Sequence, residues 1–223
     1  MRVALFGGSF DPPHRGHVAL ARLARERLAL DRVLVAPVGT QPLKQETPPA
    51  SFEDRVAMTR LAFAHEPKME VSLVDAPRPD GRSNYTIDTL AILRQQLHSG
   101  DLLFCILGAD SFLTIGKWYR PADLLTSCNF IVGGRPGFDL GHAEAALPSG
   151  IAATLLPAEL PGIRLFELSA GDHNSSLYLL MDLAEDISAT QIRSALRGEA
   201  SAAGVLNPAV AQYIGTHHLY AHL

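Results

Sequence analysis

The chain is short of the features that mark export, membranes or nucleic-acid binding. Only two cysteines occur, Cys105 and Cys128, each inside an apolar stretch. A multi-disulfide framework of the kind that staples small secreted domains is therefore excluded, and buried free thiols are expected. No apolar run is long enough to span a bilayer, and the first one is a short strand-like segment rather than a signal-peptide core. A soluble, cytoplasmic protein without a membrane partner is the expectation. Charge of either sign is sparse: 19 Lys and Arg against 23 Asp and Glu leave a net charge of −4, with the basic residues scattered. That distribution has no footprint of a nucleic-acid polymer binder, although a single nucleotide remains a fitting ligand. Internal repeats are lacking, and no cluster of Cys and His is spaced for a dedicated metal centre.

What the chain does have is apolar bulk, 47% of 223 residues. This is enough for one substantial core and too short for two large domains, so residues 1–223 read as a single domain with a C-terminal helical part from about residue 187. Strand-like runs alternate with helical patterns: Val3 to Phe6 then Val18 to Leu28, Val33 to Ala36 then Phe52 to Ala64, Val71 to Val74 then Ile87 to Leu97. Leu102 to Leu107 and Phe130 to Val132 continue the series. Such alternation predicts an α/β fold, a doubly wound parallel sheet whose ligands bind beyond the carboxyl ends of the strands. Ser51 and Asn207-Pro208 read as helix N-caps, and the last helix is expected to run to about Ile214. Residues 133–161 are rich in Gly, Pro and Ala and read as loops around one short helix near Ala143 to Ala146. Arg164 to Leu168 and Leu177 to Leu180 read as further strands, with Gly171 to Ser176 as the turn between them.

The most informative string is Gly7-Gly8-Ser9-Phe10-Asp11-Pro12-Pro13-His14-Arg15-Gly16-His17. It follows the first strand and enters the first helix. Glycines there let the backbone approach a ligand, and free amides at a helix start attract anions. His14 and His17, three apart, can donate to one phosphate group. A metal reading would need third and fourth ligands that the sequence does not space. Transfer of a nucleotidyl group mainly needs in-line positioning of two phosphates and donors for the charge that builds on the transferred phosphorus, with no protein nucleophile.

These residues resemble the HxGH nucleotidyltransferase superfamily, and within it the bacterial nicotinate-nucleotide adenylyltransferases. Further matches follow in order: Ser83-Asn84-Tyr85-Thr86-Ile87-Asp88-Thr89-Leu90 resembles a YTxDTL element, Gly108-Ala109-Asp110-Ser111 with Trp118 a GADS…W element, and Ile187-Ser188-Ala189-Thr190-Gln191-Ile192-Arg193 an ISxTxIR element. The tail from Tyr213-Ile214 to Leu219-Tyr220 is similar to the family's end. The resemblance implies a Rossmann-like sheet of the nucleotidyltransferase type, and transfer of AMP from ATP to nicotinate mononucleotide, giving nicotinate adenine dinucleotide and pyrophosphate. It also implies that His14 and His17 stabilise the transferring phosphoryl group. An unperturbed imidazole titrates at about 6.5, and bound polyphosphate would favour its protonated form.

ATP contacts are implied for Gly7, Gly8, Ser9, Phe10, Gly108, Asp110, Ile187, Ser188, Thr190 and Arg193. Ala189 stands where the family usually has a second serine. Trp118 is expected to stack on the pyridine ring, whose carboxylate would meet backbone amides around Thr86 and Tyr119, beside Tyr85. Lys44 lies in Thr40-Gln41-Pro42-Leu43-Lys44, where the family commonly reads NPPHK, and is a candidate for a substrate phosphate. Arg135 is a further candidate ligand contact. Mg²⁺ is expected to travel with the ATP phosphates and to need no dedicated protein ligands. The rival readings are a sister transferase acting on another phosphate acceptor, including one of dual specificity for nicotinate and nicotinamide mononucleotides, and a non-catalytic nucleotide sensor on the same fold.

Overall fold

The computed structural model of the protein describes residues 1–42, 49–134, 140–158, 160–183, 187, 189–197 and 204–220. Strand β1 (Arg2–Gly8) leads into helix α1 (Arg15–Arg27), and β2 (Arg32–Pro37) into α2 (Phe52–Phe63). After β3 (Met69–Val71) come α3 (Thr86–Gln96), β4 (Leu102–Gly108), the short α4 (Ala109–Phe112), α5 (Pro121–Ser127) and β5 (Asn129–Gly133). The remaining elements are β6 (Ala152–Leu156), β7 (Ile163–Ala170), β8 (His173–Leu180), α6 (Ala189–Arg197) and α7 (Pro208–Thr216).

The strands form one sheet in the order β3-β2-β1-β4-β5-β8-β7-β6. From β3 to β8 neighbours are parallel, while β7 is antiparallel to both β8 and β6. The period-2 pattern of the central strands explains the two layers of helix. Ala4 and Phe6 of β1 face a cluster with Leu20, Met58, Ile192 and Val210, drawn from α1, α2, α6 and α7. Val3 and Leu5 face the opposite cluster, with Leu90, Phe112 and Leu125 from α3, α4 and α5. Chain order reverses at β1, where β1 to β3 run outward one way and β4 and β5 the other. The crevice at the carboxyl ends of β1 and β4 is therefore where a ligand belongs.

Several boundaries differ from the sequence reading, each because tertiary pairing decided them. β3 ends at Val71; the chain then turns at Ala76, whose amide bonds to the Leu73 carbonyl, so Val74 lies outside the strand. The Gly-, Pro- and Ala-rich stretch 133–161 contains the expected single helical turn at Ala143–Ala146, here a 3₁₀ turn, but also edge strand β6, with no apolar periodicity of its own. It is ordered by pairing to β7. β8 begins at His173, so the polar run 173–176 is strand and the turn is only Gly171 and Asp172, with Gly171 at φ +57. Ser51 and Asn207 do cap α2 and α7, accepting from the Asp54 and Ala209 amides, and α7 continues to Thr216. Both cysteines are buried and free. Among the described residues, no helix is long and apolar enough to cross a membrane.

Candidate active site

Beyond the carboxyl ends of β1 and β4 lie two clefts, of about 490 and 450 Å³, that share one floor. Gly7, Gly8, Gln41, Gly108 and Ser111 line both. A Cβ at Gly7 would meet nothing within 4 Å, so the floor there is bare backbone open to a ligand from either side. The fold thus places two binding spaces end to end across one strand terminus.

The second cleft collects the phosphate candidates: Ser9, Phe10, His14, His17, Asp110, Ile187, Thr190 and Arg193, in addition to the shared glycines. His14 is the extended N-cap of α1, and the two histidines form a capping box in which the His14 amide donates to Nδ1 of His17 at 3.2 Å. Nδ1 therefore presents its lone pair, and the ring's remaining proton sits on Nε2. The imidazoles lie 3.8 Å apart, and Phe10 supports His17 at 4.9 Å. Phe10 itself is buried at φ +49, packed on Phe6 and Phe63, so its ring shapes the turn from within the core. Of the amides opening α1, that of Arg15 is spent on the Val205 carbonyl, at 2.9 Å.

A buried polar network holds this loop. Asp11, 3% exposed, accepts from the Tyr220 hydroxyl at 2.7 Å, and burial together with the Asp11 charge raises the Tyr220 phenol well above its ordinary range. Arg193 of α6 donates to the Asp11 carbonyl at 2.7 Å and to Thr190 Oγ1 at 3.3 Å. Arg55 of α2, 2% exposed, donates to the carbonyls of Ser9 and Val38, both at 2.8 Å. Burial lowers its pKa, with the Asp11 charge acting the other way. Sequence reasoning missed Asp11, Arg55 and Tyr220 as a unit, because nothing local signals a contact 209 residues apart.

The first cleft is more apolar, and is walled by Leu5, Val38, Leu107, Leu124, Tyr85, Trp118 and Tyr119. Trp118 is half-buried against the core, and the rings of Tyr85 and the exposed Tyr119 lie 4.3 Å apart. Thr86 opens α3 beside them. Asn84, quoted in the sequence motif but not singled out, ties three segments together. Its amide and Oδ1 pair with the Thr40 carbonyl and amide, and its Nδ2 donates to the carbonyls of Asp75 and Ala76. Gly39 makes that junction possible, since a Cβ there would sit 2.3 Å from the Pro77 nitrogen. Lys44, Arg135 and Ser188 lie outside the described residues.

Comparison with known proteins gives consistent results. The cytidylyltransferase-like family matches residues 5–195. A probable nicotinate-nucleotide adenylyltransferase of Geobacter sulfurreducens is 38% identical, over 100% of this chain and 99% of its own. One of Gloeobacter violaceus is 38% identical over 98% and 96%. Among solved structures, a Plasmodium falciparum nicotinic acid mononucleotide adenylyltransferase complexed with NaAD superposes with a TM-score of 0.70 at 18% identity, covering 98% of this chain and 97% of that one. With its motifs in family order and full-length relatives above a third identical, the chain belongs to the nicotinate-nucleotide adenylyltransferases of the cytidylyltransferase-like family.

Proposed function

We propose that this protein transfers AMP from ATP to the 5′-phosphate of nicotinate mononucleotide, forming nicotinate adenine dinucleotide and pyrophosphate. The observation that carries the reading is the pair of clefts sharing the Gly7, Gly8 and Gly108 floor. ATP takes the histidine-lined cleft and the mononucleotide the aromatic one, so the acceptor phosphate approaches the α-phosphorus from the side opposite the departing pyrophosphate. An acceptor oxygen bonds to the α-phosphorus as the α–β bridge breaks, and the electron pair leaves on pyrophosphate. The acceptor is already an anion, so no general base is required. His14, His17 and Arg193 stabilise charge on the phosphates, with Gly8, Ser9, Thr190 and the α1 start as neighbouring polar groups. On the family pattern, Lys44, Arg135 and Ser188 add contacts to the substrate phosphates.

Mg²⁺ belongs with the ATP. Bound with ATP it would keep most of its waters and draw on phosphate oxygens, which suits a cleft whose exposed rim carboxylate is Asp110. When bound it withdraws charge from the leaving pyrophosphate. The buried free thiols are in keeping with a cytoplasmic setting.

Pyrophosphate release with ATP and a panel of phosphorylated acceptors tests the assignment. Amides around Thr86 and Tyr119 would satisfy the nicotinate carboxylate but face the carboxamide of nicotinamide mononucleotide donor to donor. Preference for nicotinate mononucleotide by as much as roughly 10⁴-fold in kcat/KM is expected. Comparable values for both would make the enzyme dual-specific, and turnover only with an unrelated acceptor would overturn the proposal.

A further inference from the structure

The acceptor cleft contains a buried carboxylate that the phosphate chemistry does not use. Asp75 is 6% exposed and lines the cleft together with Leu5, Cys105, Leu107 and Leu124. Hydrogen bonds hold both its side chain and its backbone. The carboxyl accepts from Thr89 Oγ1 at 2.7 Å, and its backbone carbonyl accepts from the Gly39 amide at 2.8 Å and from Asn84 at 3.2 Å. An asparagine would accept the same Thr89 bond, so anchoring α3 does not call for a charge. The charge is costly where it stands, because burial raises the Asp75 pKa to about 6.

The charged and titratable groups around the same space are Cys105 on β4, Tyr85 at the start of α3, and Lys117, Tyr119 and Arg120 before α5. Arg55 reaches the far side of Gly39, donating to its carbonyl at 3.4 Å. Arg120 is exposed and already paired with Asp123 at 2.8 Å. Asp75 is the only carboxylate among the described residues lining this cleft. Burial raises the Cys105 thiol well above its ordinary range, so it brings no compensating charge.

We propose that Asp75 is a specificity-determining residue of the acceptor cleft, supplying the counter-charge to a cationic aromatic ring. The inference rests on the acceptor assignment above, since the pyridine nitrogen of nicotinate mononucleotide is quaternary and carries a permanent positive charge. In a largely apolar cleft such a pair is worth more than in bulk solvent. The same carboxylate repels the ring's own carboxylate, so it also selects the orientation that turns that group away from Asp75 and toward the Thr86 and Tyr119 side. Binding of the cation favours ionised Asp75 and therefore releases a proton near pH 6.

Calorimetric titration of the whole protein in buffers of different ionisation enthalpy, between pH 5.5 and 7.5, separates the charge from the shape. The probes are nicotinate mononucleotide and a planar isostere whose ring lacks the quaternary nitrogen's charge, the 5′-phosphate of the C-linked 3-carboxyphenyl riboside. Their phosphates, with a second pKa of about 6, titrate alike and cancel between arms. Wild type is expected to bind the cationic ligand about tenfold or more tightly than the isostere, and to release more protons with it near pH 6. Asp75→Asn is expected to bind the two alike with equal proton release, while thermal unfolding confirms its fold. Equal binding of both ligands by wild type, or an unchanged preference in Asp75→Asn, overturns the proposal without touching the acceptor assignment. A wild type that binds neither ligand and releases no pyrophosphate with nicotinate mononucleotide overturns both.

Discussion

His17 owes its position to three neighbours: the His14 amide on Nδ1, the His14 ring, and Phe10. Replacing His17 with Ala removes a preorganised donor while leaving the buried Phe10 turn in place. A loss on the order of a hundredfold or more in kcat is expected, with a near-normal unfolding transition. Steady-state rates and circular dichroism on the same preparation check this. Asp75 has a stability signature of its own. Its pKa rises from 3.8 to about 6 on folding, so between those values the native state binds the proton more tightly than the unfolded chain. Stability contributed by the protonated form is present below about pH 4 and declines as pH rises toward 6. Asp75→Asn is expected to lose that decline, and to be more stable than wild type above pH 6 by up to about 3 kcal/mol. Denaturant midpoints at pH 4.5, 6 and 7.5 measure it.

At the scale of elements, α6 borders the histidine-lined cleft proposed for ATP and not the aromatic one. Thr190 and Arg193 line the former, Ile192 anchors the helix in the core, and none of the three reaches the acceptor cleft. Arg193→Ala is therefore expected to raise the KM for ATP about tenfold or more while changing that for the acceptor much less. Initial-rate kinetics varying each substrate in turn check the split, and an effect confined to the acceptor would exchange the two clefts. The aromatic wall has a different origin. Tyr85 closes the approach to α3 and Tyr119 precedes α5, so their 4.3 Å ring contact joins two elements that share a face of the sheet.

Across the whole molecule, the last turn of the chain locks the first loop. Tyr220 packs into the core and donates to Asp11, while Tyr213 of α7 bonds to Asp54 of α2 at 2.9 Å. Tyr220→Phe leaves the Asp11 carboxylate short of a donor in a buried site. A loss of about 1–3 kcal/mol in stability is expected, with a raised KM for ATP because Arg193 is held on the Asp11 carbonyl. Thermal unfolding and ATP kinetics together check it; destabilisation with unchanged ATP kinetics would mean the clasp serves the fold alone.

The sequence by itself determined the elements whose signals are local. Apolar alternation placed β1, β2, β4 and β5, the caps at Ser51 and Asn207 placed α2 and α7, and the glycines before His14 and His17 placed a ligand-facing turn at a strand end. Those signals lie within a few residues, where backbone sterics and hydrogen bonding act. Only the tertiary structure decided what depends on partners far along the chain. Edge strand β6 exists through its register with β7, and it extends the antiparallel end of the sheet that the β7–β8 hairpin begins. The division of the site into two clefts comes from loops brought together at one strand terminus. The same holds for the buried ionisable groups: Asp11 with Tyr220 and Asp75 with Thr89 take their character from desolvation and distant donors, which no stretch of sequence displays.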